Sequence, residues 1–93
     1  MRLTKYEIQS IKQTFLDVFG SGYIYLFGSR VDDNVRGGDI DLYIQTKNSE
    51  LVNKIKFLAR LKEKIGDQKI DVVISKDKNR VIEKEALKKG ILL

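Results

Sequence analysis

Residues 23–44, YIYLFGSRVDDNVRGGDIDLYI, decide the fold. An apolar run, Tyr23 to Phe27, stops at Gly28-Ser29-Arg30. A polar loop containing Gly37-Gly38 follows, and a second apolar run opens on two carboxylates, Asp39 and Asp41. Aromatic and β-branched side chains suit a half-buried pleated surface, so strands are predicted over 23–27 and 39–45. Alternation puts Asp39, Asp41 and Tyr43 on one face and Ile40, Leu42 and Ile44 on the other. Two acids on one face, about 6.5–7 Å apart along a strand, repel each other unless a cation lies between them. A divalent cation would remove the conflict.

Upstream, Thr4 and Glu7 have the spacing of a capping box, and Ile8, Ile11, Phe15 and Val18/Phe19 recur at helical spacing. This predicts a helix over 4–19, closed by Gly20-Ser21-Gly22. Within the loop, Asp32, Asp33 and Asn34 are candidate caps for a short helical turn after Ser29. Downstream, Ser49 is the expected N-cap of a helix over 50–65 that ends at Gly66 and buries Leu51, Val52, Ile55, Leu58, Ala59 and Ile65. On another face of that helix, Lys56, Arg60 and Lys64 form a basic stripe, the usual pattern of a wet surface.

A third strand, 69–74, places Ile70, Val72 and Ile74 on one side and Asp71 and Val73 on the other. An acid in so apolar a strand is costly unless paired or bound to a cation, and Asp71 is expected to be the most buried acid. Asn79 is the expected cap of a last helix that buries Val81, Ile82, Ala86 and Leu87 and stops at Gly90. The apolar tail Ile91-Leu92-Leu93 packs either on the domain's own surface or on a partner. The order αβ(loop)βαβα predicts one α/β domain over residues 1–93, with helices covering a small mixed sheet of three to four strands. Strands two and three, joined by a helical crossover, are parallel and right-handed, and the first runs antiparallel to the second.

Composition narrows the chemistry. The 93 residues make one domain, and 42% hydrophobic content fits a folded one. No run approaches a membrane span, and the first ten residues lack the apolar core of a signal peptide, so the cytoplasm is the expected compartment. Zero Cys excludes disulfides and thiolate sites, and zero His excludes imidazole bases, Ser-His-Asp triads and imidazole metal ligands. Oxygen-only ligands select Mg²⁺ or Mn²⁺ over Zn²⁺. The net charge of +5 is uneven: residues 47–93 hold 13 basic and 7 acidic side chains, against 5 and 6 in residues 1–46. Such a half attracts anionic partners, although a lysine-coated solvated surface explains it equally well.

Asp39 and Asp41 at one strand start and Asp71 at the next would converge at one sheet edge beside Gly28-Ser29. Two divalent ions held there could grip both oxygens of an in-line phosphoryl displacement. Glycine 28 would let backbone N–H groups approach phosphate oxygens, Ser29 adds a hydroxyl donor, and Asp71 could take the proton of an attacking hydroxyl. A lone Asp-x-Asp or Gly-Ser is weak evidence; the signal lies in their joint spacing with the third acid.

Leu26-Phe27-Gly28-Ser29-Arg30, Gly38-Asp39-Ile40-Asp41-Leu42 and Ile70-Asp71-Val72-Val73 resemble the signature of the DNA polymerase β nucleotidyltransferase superfamily, and within it the minimal nucleotidyltransferases (MNT) of bacteria and archaea. The resemblance implies a polymerase β palm-like fold and a Mg²⁺-dependent transfer of a nucleoside monophosphate, AMP by preference, from an NTP such as ATP to a hydroxyl acceptor. It makes Asp39, Asp41 and Asp71 the ligands of two metal ions and assigns Gly28, Ser29, Arg30 and Gly38 to the nucleotide. It also implies a helical HEPN-type partner protein that the transferase neutralises as an antitoxin, by nucleotidylating it. Two departures stand out: Gly38 replaces a serine common before the first acid, and Val31-Asp32-Asp33 replaces a glycine that often follows Arg30.

A domain this short has little surface left for a base or an acceptor, which predicts that a second protein or another copy of the chain completes the site. The competing reading is a binding module that neutralises or scaffolds its partner by contact alone. Nucleic-acid binding through the basic half ranks last, because no interleaved aromatic and basic residues are present. Tyr43, on the acids' face, is a candidate to stack on a base, with packing the commoner use. Arg36 reads as a solvated loop residue.

Overall fold

A computed structural model describes residues 1–34, 38–76 and 79–93 of the chain, so Arg36 lies outside the described residues. Helix α1 (Lys5–Phe19) starts with the predicted reciprocal cap: Glu7 N–H donates to Thr4 Oγ1 at 3.0 Å and Thr4 N–H to Glu7 Oε1 at 2.9 Å. Strand β1 (Tyr23–Phe27) leads into a 3₁₀ turn over Gly28–Val31. Then come β2 (Ile40–Gln45), α2 (Leu51–Ile65), β3 (Ile70–Ile74), α3 (Val81–Lys89) and β4 (Ile91–Leu92).

The sheet order is β3-β2-β1-β4. β1 runs antiparallel to β2, and β2 parallel to β3, as the connections demand. The C-terminal tail settles on the domain itself: β4 pairs antiparallel with β1, and Leu93 N–H donates to the Ile24 carbonyl at 2.9 Å.

One face of the sheet carries Ile24, Leu26, Ile40, Leu42, Ile44, Ile70, Val72 and Ile74, all buried beneath Ile11, Phe15 and Phe19 of α1 and Phe57 and Leu61 of α2. The rings of Phe15, Phe19 and Phe57 lie 5.6 and 5.7 Å apart in series. Helix α3 covers part of the opposite face, which holds Tyr25, Asp41, Tyr43, Asp71 and Val73.

Three expectations fail here. Helix α2 buries Phe57 and Leu61, with Leu58 and Ile65 half-buried, whereas Leu51, Val52, Ile55 and Ala59 are exposed. The helix has two apolar stripes and only one can face α1 and the sheet; the stripe with the aromatic ring removes more area from water. Helix α3 buries Glu83 and Ala86, while Val81, Ile82 and Leu87 are exposed. Finally, neither Ser49 nor Asn79 is the N-cap. Glu50 and Arg80 hold those positions without a side-chain cap bond, and near the first the Asn53 amide donates to the Asn48 carbonyl at 3.1 Å.

Candidate functional site

In the parallel register of β2 and β3, Asp41 pairs with Asp71 and Ile40 with Ile70. Asp41 and Asp71 are therefore side by side on the sheet face opposite α1 and α2. Asp39 lies just before β2, half-buried, and its Oδ2 forms an ion pair with Lys69 Nζ at 3.3 Å. Period-two alternation puts Lys69 on the side of Asp71, as it puts Asp39 on the side of Asp41. The three predicted acids thus lie at the same end of two neighbouring strands.

Their mutual charge shows in their proton affinities. Partial burial pushes the Asp41 carboxyl above its ordinary value, and the negative charges of Asp71 and Asp39 push it further, with Lys69 opposing. The bond to Asp39 and the surrounding carboxylates hold the Lys69 ammonium above the usual lysine range. Asp71 is exposed, contrary to the expectation that it would be the most buried acid. It sits on edge strand β3 on the face that α1 and α2 leave uncovered, so water reaches it. Among the described residues the fully buried acid is Glu83.

The 3₁₀ turn wraps this acid cluster closely. Gly28 has φ +74°, and a Cβ there would lie 2.2 Å from Asp41 Oδ2. Only glycine lets the turn pass beneath that carboxylate. Gly38, at φ +90°, faces Ser29 in the same way: a Cβ would lie 2.1 Å from Ser29 Oγ. Glycine at this position suits the left-handed backbone and the close approach of the Ser29 hydroxyl.

Two arginines tie the turn down. Arg30 Nε donates to the Gly38 carbonyl at 3.2 Å, Nη1 to the Arg2 carbonyl at 2.9 Å and Nη2 to Gln68 Oε1 at 3.2 Å. Arg2 replies with its N–H on the Arg30 carbonyl at 2.7 Å and its guanidinium on the carbonyls of Ser29, 3.2 Å, and Asp32, 3.1 Å. The terminal ammonium of Met1 reaches Asp33. Gln68 also donates to Glu7 Oε2 at 2.7 Å, linking the turn to the α1 cap. Burial of Glu7 favours its neutral form, but the hydrogen bonds from Thr4 and Gln68 and the nearby Arg30 outweigh it and hold the carboxyl below its usual range. Asp32 closes the 3₁₀ turn from its C-terminal side, its N–H donating to the Ser29 carbonyl at 3.2 Å, and its carboxylate accepts from Asn34 N–H at 2.8 Å in the turn that follows.

Tyr43 is not available to stack on a base. It is fully buried, its ring centroid is 5.9 Å from that of Tyr25, and its hydroxyl donates to Glu83 Oε1 at 2.8 Å. Glu83 also accepts from Ser75 Oγ (2.7 Å), Lys76 N–H (3.1 Å) and Arg80 Nε (2.9 Å). Sequence reading missed Lys69, Gln68, Arg2 and Glu83. Lys69 alone carried a local signal, its two-residue spacing from Asp71. The other three act across 27 to 40 positions.

The donor set is carboxylate oxygen alone, clustered and short of positive charge, which suits a hard divalent cation in kind. Among the described residues no group of three or more acids is close enough to form a ready cage, and Lys69 holds one of the three. A groove of about 400 Å³ opens next to Gly28, between Phe27 and Val31 on one side and Glu85 and Lys89 of α3 on the other.

The profile of the family described as "Polymerase beta, Nucleotidyltransferase" matches residues 9–93. In fold, the chain is similar to one chain in a crystal structure of the toxin–antitoxin MntA–HpeT carrying two Asp-to-Glu substitutions. The TM-score is 0.72 at 20% identity, over 92% of this chain and 70% of that one. A candidate nucleotidyltransferase from Sulfolobus solfataricus aligns over 99% of this chain and 89% of its own, at 21% identity and a TM-score of 0.48. No curated protein sequence matches.

Proposed function

The chain belongs to the polymerase β nucleotidyltransferase family, and from that premise we propose that it transfers a nucleoside monophosphate, AMP by preference, from an NTP to a hydroxyl group on a partner protein. The observation that carries this reading is the registered pair Asp41–Asp71 with Gly28 turned beneath Asp41. Structure built for stability avoids like charges side by side on neighbouring strands; a site that handles a cationic or strongly polarised group requires them.

Asp39, Asp41 and Asp71 are the residues that would hold Mg²⁺ or Mn²⁺, two ions in the full arrangement. When bound, such ions neutralise phosphate charge and acidify the attacking hydroxyl. The chain's own residues do the rest. Backbone N–H groups at Gly28 and Ser29 and the Ser29 hydroxyl bind the triphosphate, with Gly38 giving the loop its close fit. Arg30 serves that binding through the loop, since each of its three nitrogens already donates to the protein. The groove between Phe27 and α3 receives the sugar and base. Asp71, open to solvent, takes the acceptor's proton as the hydroxyl oxygen bonds to the α-phosphorus. The bond from that phosphorus to the bridging oxygen then breaks, and pyrophosphate leaves with the electron pair.

The acceptor belongs to a helical HEPN-type protein, or to a second copy of the chain, which completes a site too small by itself to clamp both substrates. The fold shared with a toxin–antitoxin protein supports an antitoxin role. Incubating the chain with its partner, Mg²⁺ and an NTP radiolabelled at the α-phosphate tests the reading. Label on the partner, absent with Asp41→Asn, is expected; equal labelling by that variant overturns it.

A second reading has one observation in its favour, the Lys69 ammonium lodged on Asp39 where a metal ion would compete. The chain would then neutralise its partner by contact alone. Neutralisation undiminished in an Asp39→Asn, Asp41→Asn double variant, with no label transferred by the native chain, would establish it.

A further inference from the structure

Strand β3 is an edge of the sheet. Its register with β2, the bond from Ile40 N–H to the Lys69 carbonyl (3.0 Å) and the bond from Ser75 N–H to the Ile44 carbonyl (2.8 Å) fix which way its backbone faces. The peptide groups of residues 69, 71, 73 and 75 turn toward β2, and those of Ile70, Val72 and Ile74 turn outward. No hydrogen bond joins Val72 or Ile74 to another element on that outer side among the described residues.

The outer side of β3 is also the floor of a groove of about 470 Å³. Leu51 of α2 and Ile82 of α3 form its apolar walls, and both are exposed, at 69% and 44%. Ile55, one turn beyond Leu51, and Val81 extend the apolar surface at 59% and 79% exposure. Lys54, Lys76 and Arg80 line the groove, and among the described residues no acid does. Arg80 is paired with Glu83, whereas no carboxylate among the described residues pairs with Lys54 or Lys76. An open edge flanked by apolar side chains is the kind of surface that proteins ordinarily blunt or cover.

We propose that this groove docks an extended, acidic-flanked segment of a partner protein, added to the sheet as a fifth strand beside β3. The ladder of alternating N–H and C=O groups is matched by a peptide backbone and not by a phosphate chain. The apolar walls accept the segment's side chains, and the lysines select carboxylates at its ends. A second copy of the chain would bring the same cations to the groove, so charge disfavours it. The proposal goes beyond the transfer reaction and does not depend on it: the groove starts beside Asp71 but contains none of the three acids.

The test uses a fluorescent peptide with a Val-Thr-Val-Thr-Val core and two glutamates at each end, without nucleotide or metal. The intact chain is expected to bind it, and amide exchange at Val72 and Ile74 to slow on binding. A peptide with lysines for glutamates, and the double variant Lys54→Glu, Lys76→Glu, are each expected to weaken binding by about tenfold. A peptide N-methylated at alternate core amides is expected to lose protection at Val72 and Ile74. Binding indifferent to these charge changes, or without protection at the two amides, would overturn the proposal. So would protection that appears on concentrating the chain alone, which assigns the edge to a second copy. An RNA oligonucleotide that protects the same amides better than the peptide would overturn it too.

Discussion

Two carboxylate clusters occupy the same face of the sheet, anchored on β2 two residues apart. At Tyr43 the partner acid is Glu83, fully buried, with donors from Tyr43, Ser75, Lys76 and Arg80 around it. At Asp41 the neighbour is another acid, Asp71, with Asp39 adding a third charge and Lys69 supplying one cation. The first cluster is complete: its charge is compensated within the fold, and it fastens α3 to the sheet. The second is left wanting positive charge. Neighbouring positions on one strand thus separate a carboxylate whose charge the fold compensates from carboxylates whose charge it leaves in excess.

The largest test of this contrast is Glu83→Ala. Removing the acid leaves the buried Tyr43 hydroxyl and the donors of Ser75, Lys76 and Arg80 without their acceptor, at about 1–3 kcal/mol for each donor that stays buried. Urea unfolding should show it, and Glu83→Gln should lose less. Gly28→Ala comes next. A methyl group must enter the space of Asp41 Oδ2 from a left-handed backbone, for about 1–3 kcal/mol of stability. Unlike Glu83→Ala, this variant should also lose transfer activity when assayed at a temperature where it remains folded.

The smallest effects have opposite signs. The Asp41 carboxyl is raised in the folded state, so ionising it penalises the native fold. The penalty is absent below the ordinary carboxylate range and grows as pH rises through the raised value. Asp41→Asn should therefore stabilise the chain at pH 7 by about 0.2–1 kcal/mol, the range for a cross-strand pair. The gain should close as the pH falls below about 4. Glu7 is the converse case: its carboxyl is lowered, so its contribution is present above the unfolded value and is lost as pH falls through the folded one. Glu7→Gln should cost about 0.3–1 kcal/mol at pH 7 and nothing in acid. Thermal melts across pH would show the two curves diverging from a common acid limit.

How much of this was legible in the chain follows from range. Strand alternation and the Thr4–Glu7 cap are local rules, so the element order as far as α3, the antiparallel β1–β2 pair and the common side of Asp39 and Asp41 could be read directly. The shared face of Asp41 and Asp71 is an expectation that the β2–β3 register bears out. The family resemblance then pointed to the same acids. What could not be read depends on which surfaces meet. Nothing near residue 57 says that its ring prevails over the stripe from Leu51 to Ala59, and nothing near Arg2 announces that it grips a turn 27 to 30 residues away. Glu83 reads as a solvated helix acid until α3 is laid on Tyr43. Asp71 misled for the same reason: its strand is apolar, but the layer that would have buried it does not extend over it.

The proposed function requires the acids around Asp41 to bind a divalent cation. Thermal denaturation with increasing Mg²⁺ measures it directly. At ten times its Kd, the ion adds about 1.4 kcal/mol to stability, which raises Tm by roughly 5–10 °C in a domain of this size. The native chain is expected to show that rise and Asp41→Asn to lose it. No Mg²⁺-dependent rise in the native chain, or an equal rise in the variant, would contradict the proposed function.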